Sequence, residues 1–492
     1  MIIAVVAGTM ACMVQAQDVV RVDATDVQAD VSRRPLGINM NYLTDRPSLQ
    51  ARDGRPLTDA LEEMGVHFLR YPGGEKSDTY LWSVPPYDAP HPALARTGPQ
   101  DFWSTQRTFV GVDGKTLIDP MSFDEFMRIC GAVHCVPDIV VNHDSYLEPP
   151  KTPESTAPTR GQLLNSAAAW VRYANVTKHY GVRIWEIGNE TYMDSYNAPK
   201  ESAVSYAADV QMFSRRMKAE DPTILIGANG GDYNYFHTLL TQANKDIDFL
   251  VVHAYPCCAS YAAYQKTVLF DQAVKSARQA IGELPASERA RIGIAVTEMN
   301  ALDFKHTWAD RNDMGHAMLL FEMIGQFLWF DPDASIVELW TTRWIENNDS
   351  SKPSSLFDAL DRENKLNPSG RVLAIWDSML GKKIVKAYWP GGDGMVTAYA
   401  TLDPASGTLN VFLVNRDQKP RKTKLQLEHF NPAGETTVHQ FSGRGPDDLE
   451  PEFRLEPTIA IKAGVAPVEL APVSITVISI HASAVSPQGG SR

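Results

Sequence analysis

The sequence has little positive charge for its length. Its 492 residues include 46 Lys and Arg against 59 Asp and Glu, which gives a formal net charge of -13. No run of Lys or Arg occurs. This argues against nucleic acid as a partner, because a polyanion binds to a basic face. We also find no internal repeat, and the 44% of hydrophobic residues is enough for a large core.

Beyond its first residues, the sequence contains no long apolar run. The start, MIIAVVAGTMACMVQAQD, is a short apolar stretch followed by small residues. We interpret residues 1–16 as a signal peptide, with cleavage after Ala16, and a lipid-modified Cys12 is the alternative. No second apolar segment follows, so we expect no membrane span and a secreted or periplasmic protein.

Cysteine is scarce, with five residues in the whole chain. Four remain if the first segment is removed, and none of them has the spacing of a zinc site. Export favours a local disulfide between Cys130 and Cys135 and a vicinal one between Cys257 and Cys258. Four buried thiols are the other interpretation. Neither a metal nor a cofactor is expected.

Apolar runs typical of strands alternate with helical patterns from residue 34 to about residue 380. Eight strands are predicted, in the runs LGINMNYL, VHFLRYPGG, PDIVVNHD, VRIWEIGNE, TILIGANG, DFLVVHAYP, RIGIAVTEMN and SIVELWTTRW. Eight strand–helix units with nearly continuous apolar strands predict a parallel (β/α)8 TIM barrel. An open doubly wound sheet is the competing α/β fold, but no Gly-rich phosphate turn follows the first strand.

The pattern changes near residue 381. Short alternating strands separated by turn residues then predict an antiparallel β-sandwich over residues 381–482, with strands in the runs MVTAYATL, GTLNVFLVN, KTKLQLEHF, ETTVHQFSG and VSITVISIHA. Residues 17–33 alternate as well, and we expect them to add a strand to that sandwich. The tail, residues 483–492, has the composition of a disordered segment.

Polar side chains stand at the ends of the predicted barrel strands, where enzymes of this fold place their active sites. Two are carboxylates, Glu190 after the fourth strand and Glu298 after the seventh. Two carboxylates across a pocket are the minimum for hydrolysing a glycosidic bond. The predicted substrate-binding residues are Asn39, Asn41, Arg70, Asn142, His143, Asn189, His253, Tyr255, Asn300, Trp340 and Trp344.

Each of these residues also has a structural interpretation when it is taken alone. Glu190 by itself suits a helix N-terminus, and Glu298 by itself suits a buried ion pair with Arg70. Trp340 by itself suits the core. The prediction of an active site rests on their occurrence together at the ends of barrel strands.

Three motifs resemble a known family. GNE at the end of the fourth strand and a Glu at the end of the seventh resemble the retaining glycoside hydrolases of clan A. FLRYPGG, WEIGNE and TEMN resemble the α-L-arabinofuranosidases of glycoside hydrolase family 51, whose architecture is a barrel with a β-sandwich. The resemblance implies that Glu190 is the acid/base and Glu298 the nucleophile. Arg70 is then expected beside the nucleophile and not at the anomeric carbon.

The sequence leaves the sugar open. The resemblance implies a carbohydrate substrate of plant or algal type, and it is compatible with a homo-oligomer. HAYP also resembles the glucuronidases and xylosidases of the clan, so a β-xylosidase, a β-glucuronidase or an endo-glycanase are alternatives. A polysaccharide lyase and a non-catalytic carbohydrate-binding protein are the alternatives from other classes.

Overall fold

A computed structural model gives the structure of the protein. It describes residues 19–31, 34–46, 48, 51, 53–98, 109–111, 114–194, 199–255, 258–267, 272–302, 305–330, 334–344, 354–390 and 392–483. The predicted signal peptide, Cys257 and residues 484–492 of the predicted tail lie outside the described residues.

Eight parallel strands close into a barrel, which confirms the predicted fold class. Around the barrel their order is β2, β3, β6, β7, β8, β9, β10 and β11, and β11 pairs with β2. The bounds are β2 (Leu36–Asn39), β3 (Phe68–Tyr71), β6 (Val136–Val141), β7 (Ile184–Ile187), β8 (Leu225–Asn229), β9 (Phe249–Ala254), β10 (Gly293–Met299) and β11 (Ala334–Leu339). A small hairpin of β4 (Tyr80–Leu81) and β5 (Ala93–Leu94) follows β3.

Helices follow the barrel strands. They are α1 (Leu57–Met64), α2 (Phe123–Val133), α3 (Arg160–Val171), α4 (Ala203–Lys218), α5 (Tyr233–Ala243), α6 (Tyr261–Tyr264), α7 (Gln272–Gly282), α8 (Ala286–Arg289), α9 (Met314–Phe330) and α10 (Pro368–Met379). Local signals explain several starts: Ser122 with Glu125 forms a capping box at α2, and Thr159 with Gln162 forms one at α3.

The remaining strands form one nine-stranded sheet that is antiparallel except for the pairing of β1 with β15. It contains β1 (Val19–Asp30), β12 (Lys383–Tyr388), β13 (Val396–Asp403), β14 (Thr408–Asn415), β15 (Arg421–Glu428), β16 (Pro432–Ser442), β17 (Glu452–Glu456), β18 (Val465–Leu470) and β19 (Ser474–Ala482). Inward residues of these strands, such as Val22, Val411 and Ile478, enclose a core of their own. The predicted C-terminal antiparallel β-sandwich corresponds to this mostly antiparallel sheet domain, and the strand expected from the N-terminal segment, β1, pairs with β12 in it.

The sheet domain packs on the barrel through α9 and α10. Trp376 stacks on Phe321 with ring centroids 4.3 Å apart, and it lies 4.6 Å from the ring of Phe412 in the sheet. Beside these rings the buried Arg416 guanidinium contacts both carboxylate oxygens of Glu322, at 2.6 and 2.8 Å. Because both groups are buried, each needs the other as its counter-ion.

The interior of the barrel is built in layers. An apolar cluster at the N-terminal end of the strands includes Phe68, Ile184 and Ile336. Side chains two positions later along a strand point inward again. The next layer is therefore formed by Arg70, Asp138, Glu186 and Glu338, and it is charged. This charged layer lies directly beneath the predicted active site.

The predicted Cys130–Cys135 disulfide is wrong, because both cysteines are free thiols. Cys130 lies in the last turn of α2, and the chain turns at His134 in the left-handed conformation before Cys135. Burial, followed by the neighbouring Cys135 thiol, raises the pKa of Cys130 well above its usual range. Cys258 is disulfide-bonded, while the vicinal pairing with Cys257 stays a prediction.

Among the described residues, we find no helix that combines the length and the apolar character needed to cross a membrane.

Candidate active site

The carboxylates of Glu190 and Glu298 face each other at the C-terminal end of the barrel. Glu298 is the sixth residue of β10 and is 4% exposed, whereas Glu190 is half-buried in the turn after β7. That turn needs unusual backbone, with φ of +69° at Gly188 and +46° at Glu190. One oxygen of each carboxylate lies within 4.8 Å of the other.

Both oxygens of Glu298 are held by donors. Arg70 Nη1 donates to Oε1 over 2.8 Å, and Tyr255 Oη donates to Oε2 over 2.8 Å. The backbone of Gly74 approaches from another side, and a Cβ there would collide with Glu298 Oε1 and the Trp340 ring. The glycine therefore allows the chain to pass directly beside the carboxylate.

Arg70 organises the floor of the site. Its guanidinium is fully buried and donates to Glu186 as well as Glu298, with a shortest distance of 2.7 Å from Nη2 to Glu186 Oε2. It also donates to Asn39 Oδ1 and Asn189 Oδ1, each over 3.0 Å. Burial opposes its charge, but Glu186 and Glu298 outweigh burial and raise the pKa of Arg70. Arg70 is therefore a fixed cation that links four partners.

Glu190 shares a hydrogen bond with His253. His253 Nδ1 lies 2.9 Å from Glu190 Oε1 and 3.6 Å from Glu298 Oε2. Burial opposes the charge of His253, but Glu298 and Glu190 outweigh it and raise the pKa of this imidazole. Burial also opposes the charge of Glu190, yet His253 and Arg70 lower the pKa of its carboxyl below the usual value. Both shifts favour an imidazolium at His253 paired with a carboxylate at Glu190.

Two further carboxyls lie in the charged layer beneath the pair. Burial, followed by the charges of Glu186 and Glu338, raises the pKa of Asp138 well above its usual range. Burial raises the pKa of Glu338 in the same way, against the opposing effect of Arg70. One guanidinium is thus paired with Glu186 and Glu298, and burial favours the neutral form of the other two carboxyls.

Aromatic side chains form one wall of the site. Trp340 and Trp344 meet edge to face, with ring centroids 5.5 Å apart. The buried Lys76 ammonium lies 4.4 Å from the centroid of the Trp344 ring. Because Trp340 also borders Gly74 next to Glu298, this wall adjoins the carboxylate pair.

The predicted residues divide into two groups. Asn39, Arg70, Asn189, His253, Tyr255, Trp340 and Trp344 lie around the two carboxylates, through the contacts described above.

Four others form hydrogen bonds with the surrounding protein, and their contact with substrate stays a prediction. Asn41 Oδ1 accepts from the backbone of Leu43, and Asn142 donates to the carbonyls of Asp78 and Tyr80. His143 contacts Asp209 on α4, and Asn300 donates to the backbone carbonyl of Trp340. Each lies near a strand end, and these hydrogen bonds fix its side chain to the neighbouring protein.

Sequence reasoning missed Glu186, Tyr192 and Gly74. Tyr192 Oη lies 3.4 Å from Glu190 Oε1, and burial followed by the charge of Glu190 raises its pKa well above the usual range. A signal for Glu186 was present, since an ionisable residue inside the apolar run VRIWEI needs a buried counter-charge. Arg70 in FLRY carries the same signal.

Two groups of His and carboxylate side chains in the described part of the chain are close enough to hold a metal ion. One is Glu190, His253 and Glu298, and the other is His143, Glu201 and Asp209. The fully buried Arg70 guanidinium lies against Glu298 and opposes a cation in the first group. In the second group Arg160 lies 3.3 Å from Asp209, but its side chain is 46% exposed, so solvent and salt screen its charge.

Solved structures share this architecture over nearly the whole chain. The α-L-arabinofuranosidase of Thermotoga maritima, in complex with arabinose, superposes with a TM-score of 0.73 at 18% identity, covering 94% of this chain and 99% of that one. The GH51 arabinofuranosidase of Xanthomonas axonopodis pv. citri gives a TM-score of 0.70 at 15% identity, covering 94% and 100%. The fold is that of the GH51 arabinofuranosidases. The predicted resemblance is confirmed at the level of the fold.

Sequence relatives carry the same enzyme name. "Probable alpha-L-arabinofuranosidase C" of Aspergillus clavatus is 24% identical over 247 residues, which are 42% of this chain and 43% of that protein. "Alpha-L-arabinofuranosidase C" of Emericella nidulans is 24% identical over 247 residues, which are 42% of this chain and 43% of that protein. The chain thus spans about half the length of the curated relatives it matches. No family model matches it.

Proposed function

We propose that the protein is a retaining glycoside hydrolase of the α-L-arabinofuranosidase type. The observation that carries the proposal is the approach of one carboxylate oxygen of Glu190 to within 4.8 Å of one of Glu298, at the C-terminal end of the barrel. Retaining enzymes hold their two carboxyls about 5 Å apart, whereas inverting enzymes leave roughly 6.5–9.5 Å for a water molecule. The arabinofuranosidase names of the relatives support the choice of sugar.

In the first step Glu298 attacks the anomeric carbon and Glu190 donates a proton to the departing oxygen. Arg70 and Tyr255 hold the Glu298 carboxylate in position for this attack. Glu190 must first be protonated, and the 2.9 Å contact with His253 Nδ1 provides a direct route for that proton. The bond between C1 and the departing oxygen breaks, and an ester to Glu298 forms.

In the second step water attacks the same carbon and releases Glu298 as a carboxylate. Glu190 now acts as the base that removes the proton of the water. Two inversions at C1 give net retention. The wall of Trp340 and Trp344 offers flat apolar faces for the C–H surface of the sugar.

The test is a panel of aryl glycosides with α-L-arabinofuranoside, β-xyloside and β-glucuronide, read on the wild type and on Glu190→Gln and Glu298→Gln. We expect α-L-arabinofuranoside to be hydrolysed with retention, and both variants to lose that turnover. Glu62→Gln, on an exposed helix face, is the control. Turnover that survives in both variants would refute the mechanism, and preference for another sugar would replace arabinofuranose.

We further propose that the protein is secreted or periplasmic, and a homo-oligomer is compatible with the resemblance to the arabinofuranosidases. Residues 1–16 support export by their composition. N-terminal sequencing of the mature protein tests the proposal of export, and light scattering on the purified protein measures the oligomeric state. An uncleaved start in the cytoplasm would contradict export.

A further inference from the structure

A second cluster of ionisable side chains lies behind the loop that carries Glu190. His143 follows β6, Glu201 precedes α4, and Asp209 lies on α4. His143 Nε2 is 3.1 Å from Asp209 Oδ2 and 3.5 Å from Glu201 Oε2. His143 and Asp209 are fully buried, and Glu201 is 5% exposed.

The two carboxylates are incompletely satisfied for groups at this depth. Glu201 Oε2 has no hydrogen-bond partner among the described residues, and neither has His143 Nδ1. The 3.5 Å distance from His143 Nε2 to Glu201 Oε2 is beyond a good N–H···O bond. A buried carboxylate oxygen without a donor is strongly unfavourable, so a cation between the three groups would relieve it.

We propose that His143, Glu201 and Asp209 bind a divalent transition-metal ion, and that Zn²⁺ is the best match. Zinc binds imidazole and carboxylate ligands at about 2.0–2.1 Å. With such bonds, separations of 3.1 and 3.5 Å from Nε2 correspond to angles of about 98° and about 117° at the ion. These values lie on either side of the tetrahedral angle. Calcium and magnesium take oxygen ligands and do not suit the imidazole.

Outer contacts orient the two carboxylates as they do in protein metal sites. Tyr146 Oη donates to Asp209 Oδ2 over 2.7 Å, and Arg160 Nε lies 3.3 Å from Asp209 Oδ1. Ser205 Oγ donates to Glu201 Oε1 over 2.5 Å, which leaves Oε2 directed at the imidazole. Hydrogen bonds from neighbouring residues to the ligands fix the orientation of ligating side chains in this way.

The site joins three segments behind the Glu190 loop. The backbone N–H of Glu201 donates to the Thr191 carbonyl over 2.8 Å. His143 Nδ1 lies 3.1 Å from the position that a Cβ on Gly188 would take. Gly188 and Thr191 flank the Asn189–Glu190 pair. A bound ion would therefore restrain the turn that orients the Glu190 side chain. Its role is positioning, and it takes no part in bond breaking.

A proton is the competing occupant of the cluster. An imidazolium of His143 would explain the contact with Asp209, while Glu201 Oε2 would still lack a short donor. The two occupants differ in one measurable quantity, which is the metal content of the purified chain.

The experiment measures bound metal in the full chain, purified without chelator or histidine tag. We expect about one equivalent of Zn²⁺ by elemental analysis, a lower Tm after removal by a chelator, and recovery of Tm with added Zn²⁺. Co²⁺ in place of Zn²⁺ should give the visible absorption of a tetrahedral site. His143→Gln retains a donor toward Asp209, and it should lose the metal and the dependence of Tm on it.

His316→Gln is the matched control. His316 is also buried, but it contacts the single carboxylate Asp313, 2.7 Å from its Nδ1, and its loss should leave the metal content unchanged. A wild type that binds no Zn²⁺ in titration and shows no Tm response overturns the proposal, even if His143→Gln fails to fold. Binding that persists in His143→Gln but disappears in Glu190→Gln also overturns it, because the ion would then occupy the catalytic pair. None of these readouts depends on hydrolase activity.

Discussion

Tyr255→Phe should slow the second half of the reaction more than the first. Tyr255 Oη donates to Glu298 Oε2 over 2.8 Å, while Arg70 holds the other oxygen. In the glycosyl-enzyme Glu298 is a neutral ester, and negative charge returns to the carboxylate as the ester bond breaks. The tyrosine hydrogen bond therefore strengthens in the transition state of hydrolysis, which is the condition for a catalytic effect.

The magnitude follows from the charge on the acceptor. A hydrogen bond to a charged group contributes about 1.5–3 kcal/mol. At about 1.4 kcal/mol for each factor of ten, this corresponds to a fall in kcat of roughly 10- to 150-fold. The 150-fold value is an upper limit, because the negative charge on Glu298 is only partly developed in the transition state. In the first step the carboxylate loses charge, so kcat/KM should fall much less than kcat.

Stopped-flow release of 4-nitrophenol from the α-L-arabinofuranoside measures this difference. Tyr255→Phe should show a burst of about one equivalent of 4-nitrophenol per active site, followed by slow turnover. Tyr192→Phe is the matched control, since its hydroxyl lies 3.4 Å from Glu190 Oε1 and does not contact Glu298 in this way. If kcat and kcat/KM fall equally and no burst appears, Tyr255 assists the formation of the glycosyl-enzyme and not its hydrolysis. The reasoning would then be wrong.

Three further predictions concern the buried charges. Arg70→Met leaves Glu186 without its counter-charge, and should lower the free energy of unfolding in urea by about 3–5 kcal/mol; an unchanged value would contradict the network. Because the pKa of His253 is raised in the folded state, its stabilising contribution is complete below its usual value of 6.5 and is lost as pH rises through the folded pKa. The Tm of the wild type should therefore fall as the pH rises above 6.5, and His253→Asn should show a smaller fall. Identical profiles of Tm against pH in the two proteins would refute this. Asp138→Asn should change Tm little because burial keeps that carboxyl neutral, whereas Glu186→Gln should lower it; equal effects would show that Asp138 is ionised.

The arrangement of the barrel could be predicted because its signals are local. All eight predicted runs overlap a barrel strand, and Glu190 and Glu298 follow from the rule that active sites lie at the C-terminal ends of strands. In the sheet domain, β12, β17 and β18 were not predicted. Of these, β17 is an edge strand with the sequence EFRLE, whose Leu455 is 69% exposed, so its pattern is weak.

The orientation of polar side chains was harder to predict. Asn142 and His143 come directly after β6, and Asn189 and Glu190 follow β7 after the single residue Gly188. Only one of these pairs faces the site, because His143 is drawn toward Asp209 on α4. A contact between residues 66 positions apart in the chain leaves no mark in either local sequence.

The sequence by itself determined the strands, their order along the chain and the two carboxylates at their ends. These depend on apolar periodicity and on residue type, which are local properties. Only the tertiary structure decided that Arg70, Asp138, Glu186 and Glu338 share one layer inside the barrel, and which of these groups carries charge. The physical reason is that a pKa depends on burial and on distances between charges, and closure of the barrel sets both.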